Sequence, residues 1–218
     1  TWKIAPALAW GNTVVLKPAE DSPASATLLA KLALEAGMPP GVLNVVHGFG
    51  PESAGQFLIE SPGIDRITFT GESATGRTIM QAAARRLVPV SLELGGKGAD
   101  LVFADADLEK AVPWSIRAIF SNAGQVCLAG SRLLIEAPIY EEFLERFVAA
   151  AQALKIGDPM DPATQIGPLA SEQHFRKVSS YFEVIERDGG KIVTGGVGEG
   201  WIVRPTVVVD LPLRSRAW

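Results

Sequence analysis

Short β-branched or apolar runs alternate with amphipathic helical stretches along almost the whole chain. This alternation limits the fold more than any other feature. Residues 13–16 read as a strand. Ser22 as N-cap and Pro23 at the first helical position then open a helix that Gly37 stops. Leu28, Leu29, Leu32 and Ala36 repeat within it at helical spacing. Strands at 42–46 and 64–69 and helices at 52–59 and 73–86 continue the pattern. A fourth strand, 90–94, carries Glu93. After Lys97 the pattern restarts with a strand at 100–103. Asp107 or a near neighbour caps a helix toward Phe120, and Pro113 inside it predicts a kink or a later start. A strand at 132–135 precedes a helix at 139–154 with Phe143, Phe147 and Ala151 on one face. A Pro- and Gly-bearing loop fills 157–168, Ser171 caps a helix to Arg187, and strands at 192–194 and 206–209 follow. Strands and helices at this pace require crossover connections, hence an α/β fold built on a parallel sheet. The apolar strands predict a sheet covered on both faces.

Composition narrows the function. The chain has 218 residues, 47% hydrophobic and 20% charged, enough to bury a sizeable core. A net charge of −4 argues against nucleic acid as a partner. No apolar run is long enough to span a bilayer. A single cysteine excludes an internal disulfide and fits a reducing, cytoplasmic setting. His47 and His174 have no ligand spacing around them, so no metal site is expected. Thr1 and Trp218 do not look like natural ends, and the chain reads as an internal piece of a longer protein. The join between two domains is expected just after Glu93, giving 1–94 and 95–218.

Two stretches carry candidate chemistry. Cys127 lies in Ser121-Asn122-Ala123-Gly124-Gln125-Val126-Cys127-Leu128-Ala129-Gly130-Ser131. A lone cysteine usually packs as a small inert hydrophobe. Here Gly124 and Gly130 bracket it, and polar Asn122 and Gln125 precede it. A thiol in such a turn can be exposed and act as a thiolate nucleophile. In Val90-Ser91-Leu92-Glu93-Leu94, Glu93 alternates away from the apolar face. On a doubly covered sheet its carboxylate would be poorly solvated and its pKa raised, as suits a general base. An edge-strand surface glutamate is the alternative.

Other stretches suggest a nucleotide. Lys17 and Glu20 flank the first helix entry, where a solvated ion pair is the simplest reading. His47-Gly48-Phe49-Gly50-Pro51-Glu52-Ser53 approaches a dinucleotide fingerprint, with Ser53 where the third glycine belongs. Phe69-Thr70-Gly71-Glu72-Ser73-Ala74-Thr75-Gly76-Arg77 runs from a strand through a glycine turn to a helix N-terminus, which suits a phosphate. The same residues are one short of a P-loop, with Arg77 in place of its lysine and Asp105 as the acidic strand end. A P-loop NTPase leaves Cys127 unexplained. His174 and Lys177 share one face of the Ser171 helix, and an exposed surface is the simplest account of His174.

Glu93-Leu94-Gly95-Gly96-Lys97, followed by Asn122-Ala123-Gly124-Gln125-Val126-Cys127, resembles the aldehyde dehydrogenase superfamily, and the likeness covers nearly the whole chain. It implies a Rossmann-like cofactor domain, partial in 1–94, and an α/β catalytic domain, partial in 95–218. It implies oxidation of an aldehyde to an acid with NAD, or NADP, through a thiohemiacetal and a thioacyl enzyme. Cys127 is then the nucleophile and Glu93 the base. Lys17 and Glu20 contact the adenosine ribose, with Glu20 favouring NAD because a 2′-phosphate would meet a like charge. Gly50, Pro51, Gly71 and Glu72 line the cofactor, and Lys177 lies near the second ribose. Family members commonly have serine where Glu72 stands and glutamine where His174 stands. The Gly-Glu pair suggests semialdehyde dehydrogenases. The expected partners are a small-molecule aldehyde and, for the parent enzyme, further copies of itself. The piece alone is expected to be inactive, so a catalytically silent nucleotide-binding fragment or pseudoenzyme is the alternative function.

Overall fold

A computed structural model describes residues 2–218. The elements run α1 (Ile4–Ala9), β1 (Val14–Leu16), α2 (Ala24–Glu35), β2 (Leu43–Val45), α3 (Ala54–Glu60), β3 (Ile67–Gly71), α4 (Ser73–Arg86) and β4 (Val90–Leu94). They continue β5 (Ala99–Val102), α5 (Leu108–Phe120), β6 (Arg132–Ile135), α6 (Tyr140–Gln152), α7 (Glu172–Arg187), β7 (Lys191–Val197) and β8 (Val203–Val209). The chain divides into two compact units, one ending at Leu94 and the other spanning Gly95–Trp218.

In the first unit β1 pairs with β2 and β3 with β4, both parallel. The connections α2 and α4 are the helices such pairs require. Helix α2 ends in a Schellman motif. Gly37 takes φ +92°, its amide reaches the Leu34 carbonyl, and the Met38 amide reaches that of Ala33. Helix α4 packs Ile79 and Ala83 onto Ile67, with Val90 and Leu92 beside them. Arg86 then donates to the Ile59 and Ile64 carbonyls, tying the helix end to the approach to β3.

The second unit centres on aromatic rings. Phe143 is fully buried and stacks on Phe147 at 6.0 Å, and Phe147 meets Phe120 at 6.1 Å. Val102 of β5 and Val112 of α5 complete this cluster. Burying a side chain the size of Phe143 contributes about 1.5–3 kcal/mol. Strands β5 and β6 pair in parallel.

Several expectations need correction. Helix α1 lies in a stretch too short and Pro-broken to show periodicity. Helix α2 starts one residue later than expected, so Pro23 is the N-cap and Ser22 makes no cap. Helix α3 starts at Ala54, because Glu52 adopts a left-handed φ of +51°. Strand β3 begins at Ile67, after the Pro62-Gly63 turn. Helix α5 is capped by Asp107, starts at Leu108 and passes through Pro113 without a later start. Strands β7 and β8 are longer than expected and antiparallel. The five residues between them are too few for a crossover. The sheets are not covered on both faces: Leu101 and its partner Leu134 are both exposed.

Candidate functional site

Most candidate groups of the first unit stand at or near the carboxyl ends of parallel strands, where open α/β sheets bind ligands. Lys17 follows β1. Its Nζ donates to the carbonyls of Gly48 at 2.8 Å and Pro18 at 2.9 Å, and to Glu20 Oε2 at 3.3 Å. The ammonium therefore pins the exit of β1 to the glycine loop after β2. The Glu20 carboxyl is held below its ordinary range by its own backbone amide first and then by Lys17. It stays exposed, with oxygens open to hydroxyl donors.

The loop after β2 is shaped by close approach. Gly48 has φ +148°, and a Cβ there would strike Ser53 and Ala54. Ser53 Oγ accepts from the Phe49 amide at 3.0 Å, serving the turn rather than the helix. A Cβ on Gly55 would come within 2.9 Å of the Gly50 backbone, whereas one on Gly50 would meet nothing within 4 Å. Gly55 thus supplies the tight packing that the sequence pattern assigned to the position of Ser53. Its signal was a second small residue two positions on. Pro51 is exposed beside Gly50. His47 is engaged with Thr27 Oγ1 at 3.2 Å.

Gly71 ends β3 beneath the Phe69 ring, and Glu72 is the exposed N-cap of α4 without a capping side-chain bond. Gly76 lies inside α4, its hydrogen facing Leu94 where a Cβ would come within 2.8 Å. Only one residue separates β3 from α4, so no phosphate-wrapping loop exists here and the P-loop reading fails. Glu93 pairs in register with Thr70, next to the Gly71–Leu94 pair. Val90, Leu92 and Leu94 face α4, while Glu93 points the other way and is exposed. The expected poorly solvated carboxylate is therefore overturned.

Cys127 occupies the second unit and is exposed. The turn leading to it has the wrong hand for a helix. Asn122 (φ +53°), Ala123 (φ +54°) and Gly124 (φ +77°) are all left-handed. Non-glycine residues there persist only when their surroundings hold them. The holding group is Gln125. Its amide donates to the Asn122 carbonyl at 3.1 Å, and its carbonyl accepts from Asn122 Nδ2 at 3.2 Å. Its Nε2 donates to the same Asn122 carbonyl at 3.0 Å, and its Oε1 accepts from the Ala170 amide at 3.0 Å. Cys127 then sits at the second position of a turn closed by the Ala129 amide on the Val126 carbonyl at 3.1 Å. Gly98 lies under this turn, where a Cβ would come within 2.9 Å of the Ala129 carbonyl oxygen. The sequence signal for Gln125 was its place two residues before the thiol. Gly98 gave none beyond being a glycine.

Helix α7 is capped by Ser171, whose Oγ accepts from the His174 amide at 3.3 Å. Lys177 is exposed and His174 is half-buried, so His174 is not the freely exposed residue expected. Among the described residues no three His, Cys, Asp or Glu side chains form a metal-holding group, and no helix is long and apolar enough to cross a membrane.

The fold and these loops define an α/β protein of parallel strand pairs and one antiparallel pair, with nucleotide-compatible turns at strand ends and one exposed thiol. The model of the aldehyde dehydrogenase family matches residues 1–218, and the chain belongs to that family. It is 52% identical, over 97% of its length, to 2-hydroxymuconic semialdehyde dehydrogenase of Pseudomonas sp. strain CF600. Among solved structures it is similar to PnpE in complex with nicotinamide adenine dinucleotide, with 48% identity and a TM-score of 0.92 over 95% of this chain and 44% of that one. An NAD+ complex of aldehyde dehydrogenase from Bacillus cereus superposes with a TM-score of 0.95 at 40% identity, over 99% of this chain and 44% of that one. The chain spans 45% of the length of the Pseudomonas enzyme.

Proposed function

We propose that the protein oxidises an aldehyde to a carboxylic acid with NAD, acting on a semialdehyde of the muconic type. The carrying observation is family membership together with an exposed cysteine in a turn held by hydrogen bonds. The muconic preference is supported by the 52% identity to the Pseudomonas enzyme. In this reading the unit through Leu94 holds the cofactor and Gly95–Trp218 supplies the nucleophile. A single cysteine suits a reducing cytoplasm.

The first unit fits a nicotinamide dinucleotide. Gly50 leaves its backbone clear for a ligand, with Gly55 packed beneath. Glu20, oriented by Lys17, offers carboxylate oxygens to ribose hydroxyls and repels a 2′-phosphate. Lys17, Glu20, Gly50, Pro51, Gly71 and Glu72 would hold the dinucleotide, with Lys177 of the second unit at its other ribose. When bound, the nicotinamide supplies the hydride acceptor.

The chain's own residues do the rest. Cys127 Sγ, as thiolate, adds to the carbonyl carbon; the S–C bond forms as the C=O π pair moves onto oxygen. The Cys127 amide, which donates to no protein group among the described residues, is available to that oxyanion. Once the carbon stands at the thioester level, Glu93 takes a proton from a water whose oxygen adds to it. The C–S bond then breaks, the thiolate is regenerated and the acid leaves.

The test is NADH formation by the full-length enzyme that carries this chain, with 2-hydroxymuconic semialdehyde and a simple aliphatic aldehyde. Turnover should be abolished by Cys127→Ser, while Glu93→Gln should keep a single burst of NADH and lose later turnover. Undiminished turnover in Cys127→Ser would overturn the reading.

A further inference from the structure

We propose that Gln125 is a positioning residue for Cys127, and that its Oε1 bond to the Ala170 amide fixes the direction in which the thiolate attacks. The proposal rests on reading Cys127 as the nucleophile. Every polar group of Gln125 is spent within the turn or on this clamp: three bonds return to Asn122, and one crosses 45 residues to Ala170. The three local bonds hold the left-handed turn. They leave its orientation free, because all of them lie within the turn itself. The Ala170 bond is the tether that points outward. Ala170 directly precedes Ser171, the N-cap of α7. The tether therefore ties the thiol-bearing turn to the start of the helix that carries His174 and Lys177. Covalent attack is sensitive to such placement: a displacement of 1 Å can lower the rate by about 10²-fold.

The side chain separates the two functions of the residue. Gln125→Met removes both side-chain bonds and leaves the backbone pair with Asn122. Gln125→Glu keeps an acceptor for the Ala170 amide and loses the donor to the Asn122 carbonyl. The experiment uses the full-length enzyme that carries this chain. It measures kcat and KM for the aldehyde, thermal midpoint, and the pH profile of Cys127 alkylation by iodoacetamide. Rates are compared on the high-pH plateau, where a carboxylate's effect on thiol ionisation drops out. Gln125→Met should lower kcat by about 10- to 100-fold with KM changed less than about threefold, and lower the plateau alkylation rate. Gln125→Glu should recover most of the plateau rate. Wild-type kcat in Gln125→Met overturns the proposal. So does a lowered thermal midpoint with unchanged kcat per folded molecule, or a Gln125→Glu plateau as low as that of Gln125→Met. Cys127→Ser is the separating control: if it still turns over, the nucleophile reading fails, and if it is dead while Gln125→Met is normal, only this proposal fails.

Discussion

The two units reach order by different means. The unit ending at Leu94 buries only small or aliphatic side chains, Leu43, Ile67, Ile79 and Ala83. None of α1 to α4 has a side-chain cap bond. Helix α2 leaves Leu28, Leu32 and Leu34 about half exposed. What it fixes well are its strand ends, through Lys17, Ser53 and closely packed glycines. The unit Gly95–Trp218 instead has an aromatic core and side-chain caps on α5 and α7. The difference suits their proposed tasks. A cofactor loop has to admit a ligand close to its backbone, so it is made of glycine and polar ties. The thiol turn, by contrast, is held by hydrogen bonds between Gln125 and both Asn122 and Ala170, as the proposed nucleophile would require.

The largest expected effect tests the cores. Phe143→Ala should destabilise the second unit by about 3–5 kcal/mol, read from urea unfolding. Leu32→Ala on α2, already 51% exposed, should change stability by about 0.5 kcal/mol or less. Equal losses would erase the contrast.

Next comes the support under the thiol. Gly98→Ala puts a methyl 2.9 Å from the Ala129 carbonyl oxygen, a backbone atom with little room to retreat. It should destabilise by about 1–3 kcal/mol and slow iodoacetamide alkylation of Cys127. Gly95→Ala, with nothing within 4 Å, should alter neither measurably.

Ser171→Ala and Asp107→Ala should each remove about 1 kcal/mol through the lost cap, seen in thermal unfolding. A zero effect at both would make the second unit's helices no better secured than the first's.

The smallest effect concerns pH. The folded carboxyl of Glu20 titrates below its ordinary 4.5, so its contribution is present above that value and lost as pH falls through the depressed one. Comparing wild type with Glu20→Gln should show a difference under about 1 kcal/mol at pH 7 that vanishes in acid, since the Lys17 pair is solvated. A difference that persisted at low pH would remove the ionised pair as its source.

The sequence made legible those features that repeat or cap. Helices α4, α6 and α7, the Asp107 and Ser171 caps and the turn around Cys127 all announce themselves through spacing or residue chemistry. Glu93 did not, because alternation tells that it opposes the apolar face but not whether protein or water lies there. The orientation of the β7–β8 pair was not legible, because valine-rich strands look alike in parallel and antiparallel pairs. The hand of the Asn122–Gly124 turn was hidden as well. The bonds between Gln125 and Asn122 keep Ala123, which has no intrinsic taste for that conformation, in it, and neither residue type announces them in the sequence.

That reversal of hand has a consequence for the order in which the chain folds. Helix α5 cannot grow into the thiol turn, so the turn is not nucleated by its neighbour. The bond that orients it closes a span of 45 residues, and such closure carries an entropy that grows with length. The turn should therefore set after the aromatic core has condensed, and substitutions in it should speed unfolding while leaving the folding rate nearly unchanged. In hydrogen exchange, the Gln125 and Ala170 amides should open through brief local fluctuations well before those of Phe143 and Phe147, making the thiol turn the first part of its unit to loosen and the last to form.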